Sequence, residues 1–206
     1  MSPVNPFRRL PALLLLVGVV SSFAIACTGG TGGTLVRTDD GFRLTESGGV
    51  GLGERARFRE ALDSLAGDDL DAAIAALEAS AEALPERATP RVNLAIALRR
   101  AERFEDAERA LLQAIELHPR HVVAHNELGL VYRKLGRLEA SRESYERAIA
   151  LYSDFHPAHR NLGILCDLFL DDTRCALDHY RRYQEIVPED PQVAIWIADL
   201  ELRASQ

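Results

Sequence analysis

Leu94, Leu128 and Leu162 stand 34 residues apart, and their neighbours repeat with them. Ala95, Gly129 and Gly163 keep the same spacing, as do Leu77, Leu111 and Tyr145. The pairs Ala114/Ala148, Ile115/Ile149 and Leu117/Leu151 follow, and Pro85 and Pro119 mark two unit ends. Self-similarity at this period means one supersecondary unit stacked on copies of itself, because a single unit has an apolar face it cannot bury alone. The chain is biased towards Ala, Leu, Glu and Arg, which are good helix formers. With one Trp and seven Phe, its core must be built mainly from small aliphatic side chains. Small residues at repeated positions let helices approach closely, and the larger Leu and Tyr fill the gaps that remain.

The order of the repeated positions, Leu-Gly, aromatic, Ala, aromatic, Pro, resembles the tetratricopeptide repeat (TPR). The clearest unit is 122–155, with Leu128-Gly129-x-x-Tyr132, Gly136, Tyr145, Ala148 and Leu151; Ser141 and Ser153 stand where Ala and Pro are usual. Unit 88–121 keeps Leu94, Ala95, Phe104, Ala107, Ala114 and Pro119. Unit 156–190 keeps Leu162-Gly163, Tyr180, Ile186 and Pro188, with one residue inserted near its turn, which puts Ala176 where the repeat wants alanine. Unit 54–87 is degenerate: its second helix fits (Leu70, Ala73, Leu77, Pro85), but Glu60 replaces an expected leucine, as suits a polar terminal cap. Gly67, Gly136 and the Asp171-Asp172 pair read as the ends of first helices. The resemblance implies an all-α fold: an α-solenoid of about four helix-turn-helix repeats, closed by a C-terminal capping helix within 191–206. It also implies binding of other proteins rather than catalysis.

The N-terminus reads as an address. Arg8 and Arg9 precede an apolar run, Leu10 to Val20, and a small-residue exit, Phe23-Ala24-Ile25-Ala26-Cys27. These are the three parts of a secretory signal, here over 1–26. The last five residues resemble a bacterial lipobox, which implies lipidation of Cys27, with cleavage before it. An ordinary cleaved signal and an uncleaved anchor are the alternatives, the latter at the short limit for spanning. Multiple acyl chains hold a protein firmly on a membrane. Thr28 in place of Asp resembles an outer-membrane destination facing the periplasm. Residues 27–53, rich in Gly, Thr and Ser, read as a flexible tether spanning roughly 25–30 Å on average. Its glycines do not form a phosphate loop, because Glu54 stands where Gly49 and Gly51 would require another glycine.

The formal charge is −7, and loss of residues 1–26 would take it to −9. That excludes the basic footprint of a nucleic-acid binder. No catalytic constellation, metal site or cofactor motif is expected. His121 and His125, four apart, lack the second acid of a metal helix, and His125 and His159 hold equivalent repeat positions, which reads as packing. Cys166 and Cys175 fall late in one helix and early in its antiparallel neighbour. An oxidising compartment makes such a pair a disulfide; two buried thiols, or zinc with His159 or His179, are the other readings.

In the TPR family the first helix of each repeat lines a concave groove. Carried over, this implies a protein-binding groove of Asn93, Ile96 and Arg100, then Asn126, Glu127, Leu130 and Lys134, then Arg160, Asn161 and Ile164. Amides there can pair with peptide backbone, the aliphatic residues form an apolar stripe, and Arg100, Arg133 and Lys134 favour acidic peptides. Thr89, Val123 and Pro157 stand where a carboxylate clamp needs cations. The whole resembles bacterial TPR lipoproteins of the cell envelope: pilus-assembly pilotins of the PilF type, cell-wall enzyme adaptors of the NlpI type, or TonB-associated TPR proteins. The implied partners are envelope proteins or peptides, and the oligomeric state is open.

Overall fold

The computed structural model describes residues 33–38, 41–46 and 49–205. Cys27 and the signal-like segment lie outside the described residues. A β-hairpin, β1 (Gly33–Thr38) and β2 (Gly41–Glu46), comes first, paired antiparallel with Leu35 opposite Leu44. Nine α-helices follow among the described residues: α1 (Leu52–Ala66), α2 (Leu70–Ala83), α3 (Ala88–Arg100), α4 (Phe104–Leu117), α5 (Val122–Lys134), α6 (Leu138–Leu151), α7 (His156–Leu168), α8 (Thr173–Ile186) and α9 (Pro191–Ala204). Four helix pairs and one further helix are the all-α solenoid that the period implies.

The hairpin corrects the reading of 27–53 as tether throughout. Averaged over the segment, composition is dominated by glycine. Between their opening glycines and Glu46 the strand residues are Thr, Val, Leu, Arg and Phe, mostly types that suit a pleated surface. Glu46 at the end of β2 ties the hairpin to the solenoid. Its carboxylate accepts from the Ala88 amide at 2.9 Å and the Thr89 amide at 3.3 Å. The residue before α3 is Arg87, whose side chain supplies no cap. An acid from 42 residues upstream therefore satisfies donors that the helix start leaves open.

The turns inside the pairs follow the same period. Asp68, Glu102 and Gly136 all have positive φ (64°, 59° and 73°) and are spaced by 34. The fourth such residue, Asp171 (φ 51°), falls 35 after Gly136 because of the inserted residue. Only one of the four is glycine, the residue that adopts this region without steric cost. The Asp171-Asp172 pair does not end α7. That helix stops at Leu168 with Phe169 as its cap residue, and Asp172 instead starts α8, accepting from the Cys175 amide at 3.0 Å.

Glycines at the helix-pair crossings are set by tyrosines. A Cβ on Gly129 would lie 2.5 Å from the Tyr145 ring, and one on Gly163 would lie 2.5 Å from the Tyr180 ring. Both tyrosines are buried. Ser141, at the usual alanine position, is buried too, and its hydroxyl donates to the Gly129 carbonyl at 2.7 Å. In the degenerate first pair, Glu60 is exposed and Ala61 and Leu65 provide the buried face. The apolar core runs from Ala61 in α1 to Leu200 in α9 with small residues throughout.

Candidate protein-binding face

Successive first helices touch one another: α1 meets α3, α3 meets α5 and α5 meets α7. Among the described residues, no two second helices make a comparable contact. The first helices thus crowd on the inner side of the curve, and their free faces form its wall. Asn93, Ile96, Leu130, Arg160, Asn161 and Ile164 are half-buried there, and Lys134 is exposed.

Several residues expected to meet a partner are engaged within the solenoid. Asn126 is 4% exposed, and its Oδ1 accepts from Asn161 Nδ2 at 2.9 Å, one repeat on. Glu127 is buried and pairs with Arg99 Nε at 2.9 Å. Burial pushes the Glu127 carboxyl up, and Arg99 opposes that. Arg100 donates to the Leu65 carbonyl and to Asp68 Oδ1, so it fastens the first turn to the second repeat. Asn93 Nδ2 donates to the Thr89 carbonyl of its own helix. The stagger of each repeat over the next covers these groups, and helical position alone does not reveal that stagger.

Two cation-aromatic contacts were not foreseen. The Arg133 guanidinium lies 5.4 Å from the Phe169 ring centre and that of Arg160 lies 5.2 Å from Trp196. Each arginine and its aromatic are 36 residues apart, a full repeat plus two, and that spacing is the signal in the sequence. The wall that remains open is an aliphatic stripe of Ile96, Leu130 and Ile164, flanked by Lys134 and by arginines laid over aromatic rings.

Four histidines, His121, His125, His159 and His179, are engaged within the fold. His121 caps α5: its Nδ1 accepts from the Ala124 amide at 3.2 Å, and the residue is 2% exposed. That role places the neutral ring's proton on Nε2, which therefore has no lone pair for a metal. Burial first, then the neighbouring His118, holds its pKa down at about 3. His125 and His159 play matching parts, each with Nε2 at 2.9 Å from a carbonyl six residues earlier, Pro119 and Ser153. His159 Nδ1 also lies 3.0 Å from His179 Nδ1. His159 donates from Nε2, so its Nδ1 accepts and His179 supplies the proton. Burial, then His159, lowers the His179 pKa to about 4.

The Sγ atoms of Cys166 and Cys175 are 1.98 Å apart and the Cα atoms 5.8 Å, a disulfide across the α7–α8 turn. Asp172 places a carboxylate within 4.8 Å of the sulfurs. The sulfurs are bonded to each other and Asp172 caps α8, so the trio is committed to the turn.

A family model described as tetratricopeptide repeat matches residues 92–154, which hold most of the second helix pair and the third. The chain carries tetratricopeptide repeats. Similar solved structures cover most of the chain. They include pilF of Pseudomonas aeruginosa (20% identity, TM-score 0.68, 74% of this chain and 69% of that one). A thermophilic TPR protein of Thermus thermophilus, TTC0263, shares 25% identity (TM-score 0.63, 72% and 81%). MamA from Desulfovibrio magneticus RS-1 shares 16% (TM-score 0.66, 76% and 88%). No curated protein sequence matches the chain. TPR arrays are scaffolds for protein–protein interaction, and the first-helix wall is the face such a scaffold offers.

Proposed function

We propose that this chain is a lipid-anchored envelope protein, held on the membrane through Cys27 and facing the periplasm, whose TPR wall holds a partner during assembly of an envelope complex. The observation that carries the binding part is the aliphatic stripe of Ile96, Leu130 and Ile164 beside exposed Lys134. A stripe of this kind accepts an apolar or amphipathic segment, and the flanking cations favour one with acidic residues. The lipobox-like Phe23–Cys27 stretch supports the anchor. A disulfide between Cys166 and Cys175 fits an oxidising compartment. PilF-type, NlpI-type and TonB-associated assembly are three settings in which such an adaptor acts.

Two measurements test the two halves separately. Cys27→Ser should move the protein from the membrane fraction to the soluble periplasm; retention after a salt wash rejects the anchor. Leu130→Ala with Lys134→Glu should lose envelope partners in a pull-down, while Arg147→Glu on α6 keeps them. A lost interfacial contact of this size costs about 1–3 kcal/mol, roughly ten- to a hundredfold in affinity. If the α6 variant loses the partner and the wall variant does not, the binding face is misassigned.

A further inference from the structure

The arginines of the first-helix wall follow the repeat, and one of them lacks the acid its predecessor has. Arg99 on α3 pairs with Glu127 on α5 at 2.9 Å. Arg133 stands 34 residues after Arg99, and the residue 34 after Glu127 is Asn161, an amide that donates to Asn126. Arg133 is half-buried, and its Nε is buried without a hydrogen-bond partner. Its guanidinium lies on the Phe169 ring instead of on a carboxylate. Arg160 on α7 is also half-buried, is laid on Trp196 and makes no ion pair among the described residues. Asp190 lies near Arg160, but the Tyr183 hydroxyl, at 2.8 Å, is what chiefly holds its carboxyl below the usual range, and Arg160 contributes least. The wall thus carries two guanidinium groups backed by aromatic rings and unmatched by an anion, in a chain whose formal charge is −7.

We propose that Arg133 and Arg160 each take one carboxylate of a single extended partner segment, whose two acids stand four residues apart with an apolar residue midway. This rests on the first-helix wall as the binding face and names the kind of segment held there. The spacing comes from the helices. Arg160 is the counterpart of Asn126, seven residues before Arg133, so the two arginines differ by about 10 Å along the parallel axes of α5 and α7. Neighbouring axes lie about 8–10 Å apart, which makes the diagonal about 14 Å. Leu130 and Ile164 share one repeat position, between those of the two arginines, so the diagonal crosses the aliphatic stripe. An extended chain advances about 3.3 Å per residue and turns alternate side chains to one face. Residues i, i+2 and i+4 therefore cover about 13 Å on that face. Acid, apolar, acid at those positions meets one arginine, the stripe and the other arginine. The aromatic backing holds each planar guanidinium ready for a carboxylate, with less freedom to lose than exposed Lys134.

Fluorescence anisotropy of labelled, end-blocked peptides on the full-length chain in detergent tests it. One peptide is Gly-Glu-Ser-Leu-Ser-Glu-Gly, with its acids four apart. The other is Gly-Ser-Glu-Leu-Glu-Ser-Gly, with the same composition and charge and its acids two apart. The expected result is at least tenfold tighter binding of the first. Arg133→Gln and Arg160→Gln should each weaken that binding at least tenfold with helicity unchanged. Each variant should lose nothing further when the glutamate facing it is replaced by glutamine. Equal binding of the two peptides, binding of neither, or wild-type affinity in both arginine variants overturns the proposal, and the peptide comparison needs no variant. If spacing and arginines do not matter but Leu130→Ala with Lys134→Glu abolishes binding, the wall stands and this inference alone falls. If binding survives that wall variant unchanged, the wall itself is misassigned and the inference falls with it.

Discussion

Replacing Gly129 by alanine tests the packing of the helix pairs, because its sign should depend on one other residue. An added Cβ would sit 2.5 Å from Tyr145 Cε1, against about 3.5–4.0 Å for an ordinary carbon contact. The Tyr145 ring is fully buried and has nowhere to swing. Such overpacking costs about 1–3 kcal/mol. Alanine also gains about 1 kcal/mol over glycine within a helix. The net loss for Gly129→Ala should be up to about 2 kcal/mol. The chain already contains the alternative pairing, since the equivalent positions 34 residues earlier are Ala95 and Leu111. In a Tyr145→Leu background the clash disappears and only the helix gain remains. There Gly129→Ala should stabilise by about 0.5–1 kcal/mol, a coupling of roughly 2 kcal/mol across the cycle. Urea denaturation followed by circular dichroism on the four proteins measures it. Equal effects of Gly129→Ala in the two backgrounds would show that the glycine is not there for the tyrosine.

Stability should fall as pH drops below 6.5. The folded-state pKa of His121 is depressed to about 3, so the unfolded chain takes the proton first. Its contribution is complete above about pH 6.5 and is lost progressively towards pH 3. By pH 5 the loss from this residue is about 2 kcal/mol; His121→Asn, which can still cap α5, should flatten the pH profile of the melting temperature. Glu102→Gly should raise stability by about 1 kcal/mol, because a left-handed φ of 59° burdens a side chain and not glycine, whereas Gly136→Ala should lower it by a similar amount; thermal melts decide both signs. Reducing the Cys166–Cys175 bond, which closes a loop with a sequence separation of 9, should cost about 2–3 kcal/mol, read as a lower urea midpoint with reductant than without.

The repeat was legible because stacking forces equivalent residues into equivalent contacts. Gly129 and Gly163 recur with Tyr145 and Tyr180, and the structure gives each glycine its ring. The site was less legible. A position on a first helix predicts which way a side chain leaves its own helix, but not what the next repeat lays over it. Asn126 therefore looked like a partner-binding amide and is instead bonded to Asn161. Glu127 likewise faces Arg99. The arginine-aromatic contacts escaped because they pair a position with one 36 residues on, out of step with the 34-residue period. The hairpin escaped because composition was averaged over a window that mixes its strands with glycine.

On the proposed anchoring at Cys27, the capping of α3 by Glu46 bears on how far the solenoid could stand from a bilayer. An anchor at Cys27 followed by slack chain up to Leu52 would be a leash of 25 residues, about 85 Å when fully drawn out. With the hairpin clasped to the second repeat, Gly33 stands only six Cα steps from Cys27, about 20 Å at full stretch. The solenoid would then ride within a few helix diameters of the headgroups and be restricted in how it turns. Partners rooted in the same membrane would meet the wall readily, and those deeper in the periplasm would have to come to it.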